Sequence, residues 1–181
     1  NISSPNTPGL RALQTRAALE DLLGRLAEAR RTLAPQGGAP MFLKVAPDLE
    51  EGEVVAIVET VLANGLEGII VSNTTLARDG LRSAHASEAG GMSGAPLFEL
   101  STRRLAEFAE AAAGRLTLIG AGGVTSGASA YAKIRAGASA VQLYSALVYG
   151  GPGLVTRIKQ DLAARLRADG FSSVAQAVGA G

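Results

Sequence analysis

Four short runs of mostly apolar residues, Met41 to Val45, Gly68 to Val71, Leu116 to Ala121 and Ala140 to Tyr144, alternate with longer stretches of helical pattern. Each run is 4 to 6 residues long and shows little polar alternation, the habit of strands covered on both faces. The helical stretches cover roughly Thr15 to Leu33, Glu51 to Asn64, Phe98 to Ala113, Ser126 to Ala136 and Leu154 to Asp169. Their apolar positions recur at helical spacing, as in Leu19, Leu22, Leu23 and Leu26, or Val54, Val55, Val58, Val61 and Leu62. Strict helix and strand alternation makes parallel β/α units the economical topology. The links Asn64-Gly65 and Ala136-Gly137 fit helix C-caps that feed the next strand.

Units of this kind build either an open doubly wound α/β sheet or a closed (β/α)8 TIM barrel. Closure normally takes eight strands and about 250 residues. Four runs in 181 residues, preceded by a polar, Pro-bearing loop at Asn1, point to the C-terminal half of such a barrel, a single domain over residues 1–181.

Composition narrows the function. With 47% hydrophobic residues and a net charge of +1, the chain has material for a core and little repulsion to oppose collapse. Its 17 Lys and Arg against 16 Asp and Glu form no basic cluster, so neither nucleic acid nor an anionic membrane surface is an expected partner. Absence of Cys excludes disulfides, thiolate metal sites and thiol nucleophiles. No apolar run approaches the ~20 residues that cross a bilayer, so a soluble chain is expected. It begins without Met and without a charged-then-apolar leader, and neither a signal peptide nor an anchor is read from it.

In β/α folds ligands bind at the C-terminal ends of the strands. There the sequence supplies Ala46-Pro47-Asp48, Ser72-Asn73-Thr74-Thr75, Gly122-Gly123 and Ser145, with Asn1 to Gly9 as a further loop. Glycine is over-represented, 23 of 181 residues. Two consecutive Gly-rich ends, Gly120 to Gly123 and Tyr144-Ser145 ahead of Gly150 to Gly153, suit a phosphate held by backbone N–H groups, although glycines also serve tight turns. Strand alternation puts Lys44 on the inner face with Phe42 and Ala46. It can face an anionic ligand or electron-rich ring there, or reach solvent or Asp48 instead. Asn1, Ser4, Asn6, Ser72, Asn73 and Thr74 can hydrogen-bond a flat polar heterocycle or serve turns and caps. His85, the only imidazole, falls in the long Asn73 to Leu97 connection and reads as a surface residue. Asp48, Glu50 and Glu51 read as charges at a helix N-terminus, and no metal site is expected.

Taken in order, Asn1-Ile-Ser-Ser-Pro-Asn-Thr-Pro-Gly-Leu-Arg11, Lys44-Val-Ala-Pro-Asp-Leu49, Ser72-Asn-Thr-Thr-Leu76, Gly90-Gly-Met-Ser-Gly-Ala-Pro-Leu97, Ile119-Gly-Ala-Gly-Gly123 and Val141-Gln-Leu-Tyr-Ser145 strongly resemble the class 2, quinone-dependent dihydroorotate dehydrogenases. The likeness extends to the ending Asp169 to Gly179. It implies an FMN-bearing (β/α)8 barrel that oxidises (S)-dihydroorotate to orotate in pyrimidine biosynthesis and passes electrons to a quinone. It further implies Ser4 as the base that removes the C5 proton, where class 1 relatives carry Cys. Asn1, Asn6, Asn73 and Thr74 match pyrimidine-binding positions, Asn1 also touching flavin. Lys44, Ser72, Gly94, Gly123, Tyr144 and Ser145 match FMN-binding positions, with Ser72 standing where relatives commonly have Thr. A peripheral place on the cytoplasmic face of the cell membrane is implied only through an N-terminal segment that this chain does not contain. The resemblance covers the second half of the family's length, so this piece alone is expected neither to close a barrel nor to hold FMN well. Other phosphate-binding barrel enzymes, an isomerase or another flavin oxidoreductase, would place His, Cys or a carboxylate where Ser4 stands. A non-catalytic β/α binding module would keep only the phosphate cup.

Overall fold

Strand pairing in the computed structural model, which describes residues 1–181, is parallel throughout. The elements are α1 (Arg16–Leu33), β1 (Phe42–Val45), α2 (Glu53–Ala63), β2 (Gly68–Val71), α3 (Phe98–Ala112), β3 (Thr117–Ala121), α4 (Gly127–Arg135), β4 (Ala140–Gln142), α5 (Ser145–Gly150), α6 (Gly153–Ala168) and α7 (Val174–Ala177). The sheet order is β1-β2-β3-β4, so each strand lies beside its neighbour in sequence and β1 and β4 form free edges. Both expected glycine caps are present. Gly65 and Gly137 take positive φ of 68° and 113°, while Leu66 and Ala138 donate back to the Val61 and Lys133 carbonyls.

The helices pack against one another in chain order, α1 on α2, α2 on α3, α3 on α4 and α4 on α6. They cover a single face of the sheet. Leu43, Val45, Ile69, Val71 and Leu118 point to that face and join Leu19 and Leu23 of α1, Ile57, Val58 and Val61 of α2, and Leu105 and Phe108 of α3 in one core. The opposite face carries Phe42, Lys44, Ile70 and Ile119, all half-buried, with Lys44, Ile70, Ile119 and Ala140 sharing one rung. The helical layer therefore lies on one face only, and the half-buried side chains of the other face line the inside of the sheet. A doubly wound sheet places helices on both sides, whereas one helical layer outside a parallel sheet is the wall of a β/α barrel. Four strands make half of that wall and leave it open.

Strand β4 is shorter than its apolar run. Gln142 pairs with Ala121, the last residue of β3, and Leu143-Tyr144 then leave the ladder to enter α5. Neither α5 nor α7 is legible in the sequence, being six and four residues without apolar periodicity.

At the N-terminal end of the strands, Glu67 ties three segments together. Its carboxylate accepts from both Arg30 guanidinium nitrogens, at 2.6 and 3.1 Å, and from the Met41 N–H at 2.7 Å. The Arg30 hydrogen bonds, and then the Met41 amide, lower the carboxyl pKa from 4.5 to about 2. Because the folded value lies below the unfolded one, this contribution to stability is complete above pH 4.5 and is lost as pH falls toward 2. Glu67→Gln is expected to lower the melting temperature at pH 7, with the difference from the parent protein shrinking between pH 4.5 and 2 in a thermal denaturation series.

Candidate active site

The opposite end of the sheet forms a cleft of about 530 Å³. Lys44 reaches it from β1, Ser72, Asn73 and Thr74 from the turn after β2, Gly123 from the turn after β3, and Tyr144 and Ser145 from the turn after β4. Gly94, on the long connection before α3, completes the wall. Eight of the residues singled out in the sequence thus share one cavity. Lys44 is the only charged side chain lining it, and its ammonium has neither a hydrogen-bond nor an ion-pair partner within the chain. Of the two orientations open to Lys44, the structure adopts the inward one. Asp48 pairs with Arg11 instead, at 2.9 Å.

The opening loop docks against the Asn73 turn through a residue that the sequence did not single out. Ser3 is fully buried, and its Oγ lies 2.8 Å from Asn1 Oδ1 and 3.0 Å from the Lys44 carbonyl, both acceptors for its proton. Asn73 Nδ2 donates to the same Oγ at 3.1 Å and to Asn1 Oδ1 at 3.3 Å. Ile2 anchors the loop in the core, 1% exposed. The adjacent Ser3 and Ser4 are alike in sequence, so only the burial of Ile2 could have marked Ser3 as inward-facing. Ser4 and Asn6 are not in the wall of the cleft but on the opening loop that Ser3 docks against Asn73, where Ser4 Oγ accepts from the Asn6 N–H at 3.3 Å. Gly91 lets the long connection pass between the opening loop and the Asn73 turn. A Cβ there would overlap Thr74 Oγ1 and come within 2.8 Å of Pro5 Cγ.

Asp48 does not serve the helix start that its position suggested. Besides Arg11, its carboxylate accepts from Thr75 Oγ1 and, at 3.1 Å, from the Leu76 N–H. Arg11 also donates to the Thr74 carbonyl at 3.2 Å. One carboxylate thus joins the turns after β1 and β2 to the residues preceding α1, a job that acceptor geometry decides and chain position does not reveal. Glu50 and Glu51 stay exposed ahead of α2. The long connection is folded back on itself by an antiparallel bridge between Thr75 and Met92 and by Arg78, which donates to the Glu88 and Gly90 carbonyls. His85 sits at its tip, its side chain 79% exposed and beside Glu88, outside the cleft.

At the far end of the cleft the backbone supplies donors. Gly122 and Gly123 have φ of 99° and 74°, and a Cβ on Gly123 would lie 2.5 Å from Phe98 Cα. The N–H groups of Gly122, Gly123, Val124, Tyr144, Ser145 and Ala146 have no acceptor within the chain, and all six residues line the cavity. Ser145 Oγ lies 2.8 Å from Ser93 Oγ, across from Gly94, while the Tyr144 ring is 85% exposed at the rim. Ser72, 3% exposed, donates to the Asn73 carbonyl at 3.0 Å and holds the turn rigid. Backbone N–H groups left without acceptors, in a part of the cleft lined by no carboxylate, are suited to an anion. No cluster of three or more His, Cys, Asp or Glu side chains exists that could hold a metal ion. No helix is long and apolar enough to cross a membrane.

A half-wall of parallel β/α units with a cleft beyond the C-terminal ends of its strands defines a β/α-barrel protein. Residues 1–166 match the family model described as dihydroorotate dehydrogenase, and the chain belongs to that family. Proteins named dihydroorotate dehydrogenase (quinone) from Azorhizobium caulinodans and Cereibacter sphaeroides are 58% and 59% identical to it, over 99% and 100% of this chain. The crystal structure of ligand-free type DHODH from Eimeria tenella superposes with a TM-score of 0.92 at 36% identity, covering 99% of this chain and 54% of that one. The chain spans about half the length of the curated relatives it matches, 51% in both bacterial cases.

Replacing Asp48 with Ala strands the Arg11 guanidinium, the Thr75 hydroxyl and the Leu76 amide. The expected cost is about 1–3 kcal/mol in denaturant unfolding, with the Leu76 amide exchanging its proton faster than the amides of β2 in hydrogen-exchange measurements.

Proposed function

We propose that this chain forms the flavin- and pyrimidine-binding portion of a quinone-dependent dihydroorotate dehydrogenase, which oxidises (S)-dihydroorotate to orotate in pyrimidine biosynthesis. The observation that carries the reading is the shared cleft, with one unpaired ammonium at its head, amide and hydroxyl groups beside it and six free N–H groups at its foot. FMN has this shape and charge distribution: a flat ring that becomes anionic on reduction, and a phosphate tail. Bound FMN would supply the two-electron acceptor for the hydride leaving C6 and return those electrons to a quinone.

The protein's own residues then divide the remaining work. Lys44 holds a positive charge where the N1 and O2 edge of the ring gains negative charge. Gly123, Tyr144 and Ser145 would meet the ribityl and phosphate end of the cofactor, and Ser72 and Gly94 would make further contacts with it. Asn1, Asn6, Asn73 and Thr74 offer donor and acceptor pairs to the pyrimidine carbonyl and imide groups, Asn1 also meeting the flavin. The Asn1, Ser3 and Asn73 hydrogen bonds keep two of those amides in a fixed relation before any ligand arrives, which reduces the ordering cost of binding.

Ser4, on the opening loop beside the cleft and not in its wall, matches the family's base and would accept the C5 proton. Its Oγ takes only the Asn6 N–H, so the hydroxyl proton is free to pass to solvent as the new one arrives. A free serine hydroxyl is a weak base, and the step depends on simultaneous loss of the C6 hydride to relieve charge at C5. In the native polypeptide, Ser4→Ala is expected to lower kcat with (S)-dihydroorotate and a quinone by about 10²- to 10⁴-fold. Flavin content and the dihydroorotate dissociation constant are expected to stay unchanged, and a kcat at the parent level removes Ser4 from the role.

A further inference from the structure

Lys133, on α4, is a charged residue that the fold hides completely, at 0% exposure and with no carboxylate in ion-pair range. A buried ammonium is costly unless its protons are satisfied. Its Nζ donates to Ser101 Oγ at 2.9 Å and to Thr102 Oγ1 at 3.0 Å, both on α3, and sits 5.3 Å from the centre of the Phe98 ring. Burial lowers its pKa to about 8, opposed by the Glu99 carboxylate, so the group remains charged at pH 7.

The hydroxyl protons show where that charge is directed. Thr102 Oγ1 donates to the Phe98 carbonyl at 2.7 Å, a carbonyl that Ser101 Oγ also approaches at 3.1 Å. With that acceptor already served, the Ser101 proton is available to the Gly122 carbonyl, 3.0 Å away. A chain of donors therefore runs from the ammonium through one hydroxyl to the glycine turn at the foot of the cleft. In a trans peptide the C=O and the following N–H point in opposite directions. Holding the Gly122 carbonyl back against α3 consequently turns the Gly123 N–H toward the cleft.

Gly120, in β3, and Gly122, in the turn, leave room for this arrangement. A Cβ on Gly120 would lie 3.0 Å from Lys133 Cδ, and one on Gly122 would lie 2.9 Å from Ser101 Oγ. We propose that Lys133, acting through Ser101, is a positioning residue for the phosphate of the bound mononucleotide, fixing the Gly122 to Gly123 peptide with its N–H outward and setting a positive charge behind it. The inference rests on the flavin reading above.

The test compares FMN with riboflavin, which has the ring and ribityl chain but no phosphate, by fluorescence titration of the native polypeptide. Lys133→Met, neutral and of similar length, is expected to raise the FMN dissociation constant at least about tenfold, the loss of one charge-assisted hydrogen bond. Its riboflavin dissociation constant is expected to stay within about twofold, since no ring contact changes. Ser101→Ala keeps the charge, cuts the link to Gly122 and is expected to act in the same direction. It carries the test if Lys133→Met does not fold. Equal weakening of both ligands, or unchanged FMN affinity in a folded variant, overturns the role of Lys133. A parent protein that binds neither ligand overturns the flavin reading and this inference together.

Discussion

Period-two alternation along four parallel strands, with every outward residue packed under one layer of helices, is the constraint on which the rest of the structure depends. Burial of Leu43 and Val45 against α1 and α2 leaves Phe42 and Lys44 no choice but the inner face. Register then places Lys44 level with Ile70 and Ile119, one residue short of the turns that build the cleft. A slip of one residue in β1 would send the ammonium into the core and Leu43 to the cavity, at a cost in desolvation that no nearby carboxylate offsets. Packing on one side of the sheet therefore fixes chemistry on the other.

The two ends of the strands are held by different means. At the N-terminal end, Glu67 satisfies Arg30 and the Met41 amide, and its acceptors are fully engaged within the chain. At the C-terminal end many donors are left over: the Lys44 ammonium and the N–H groups from Gly122 to Val124 and from Tyr144 to Ala146. Buried or half-buried donors without acceptors are costly. Their concentration at one end sets the two ends of the sheet apart, one saturated within the chain and one left with donors to spare.

Much of this was legible in the sequence because it depends on local pattern. Apolar runs located the strands, glycines at Asn64-Gly65 and Ala136-Gly137 located helix ends, and strand parity oriented Lys44. The unread parts depend on contacts between distant segments. Ser3 looks like its neighbour Ser4 until Ile2 is seen to anchor the loop, and Asp48 looks like a helix-start charge until Arg11 and Thr75 are seen across from it. Apolar residues on both faces of β2 suit a barrel strand, with Ile69 and Val71 under the helices and Ile70 on the inner face.

The free edges of β1 and β4 bear on how such a sheet behaves in water. Unpaired ladders recruit foreign strands, and the hazard grows with the number of consecutive rungs they offer. Here those ladders are four and three residues long, and β4 ends where Leu143-Tyr144 turn away into α5. Brevity at both margins limits the template that either edge offers to a strand laid alongside it.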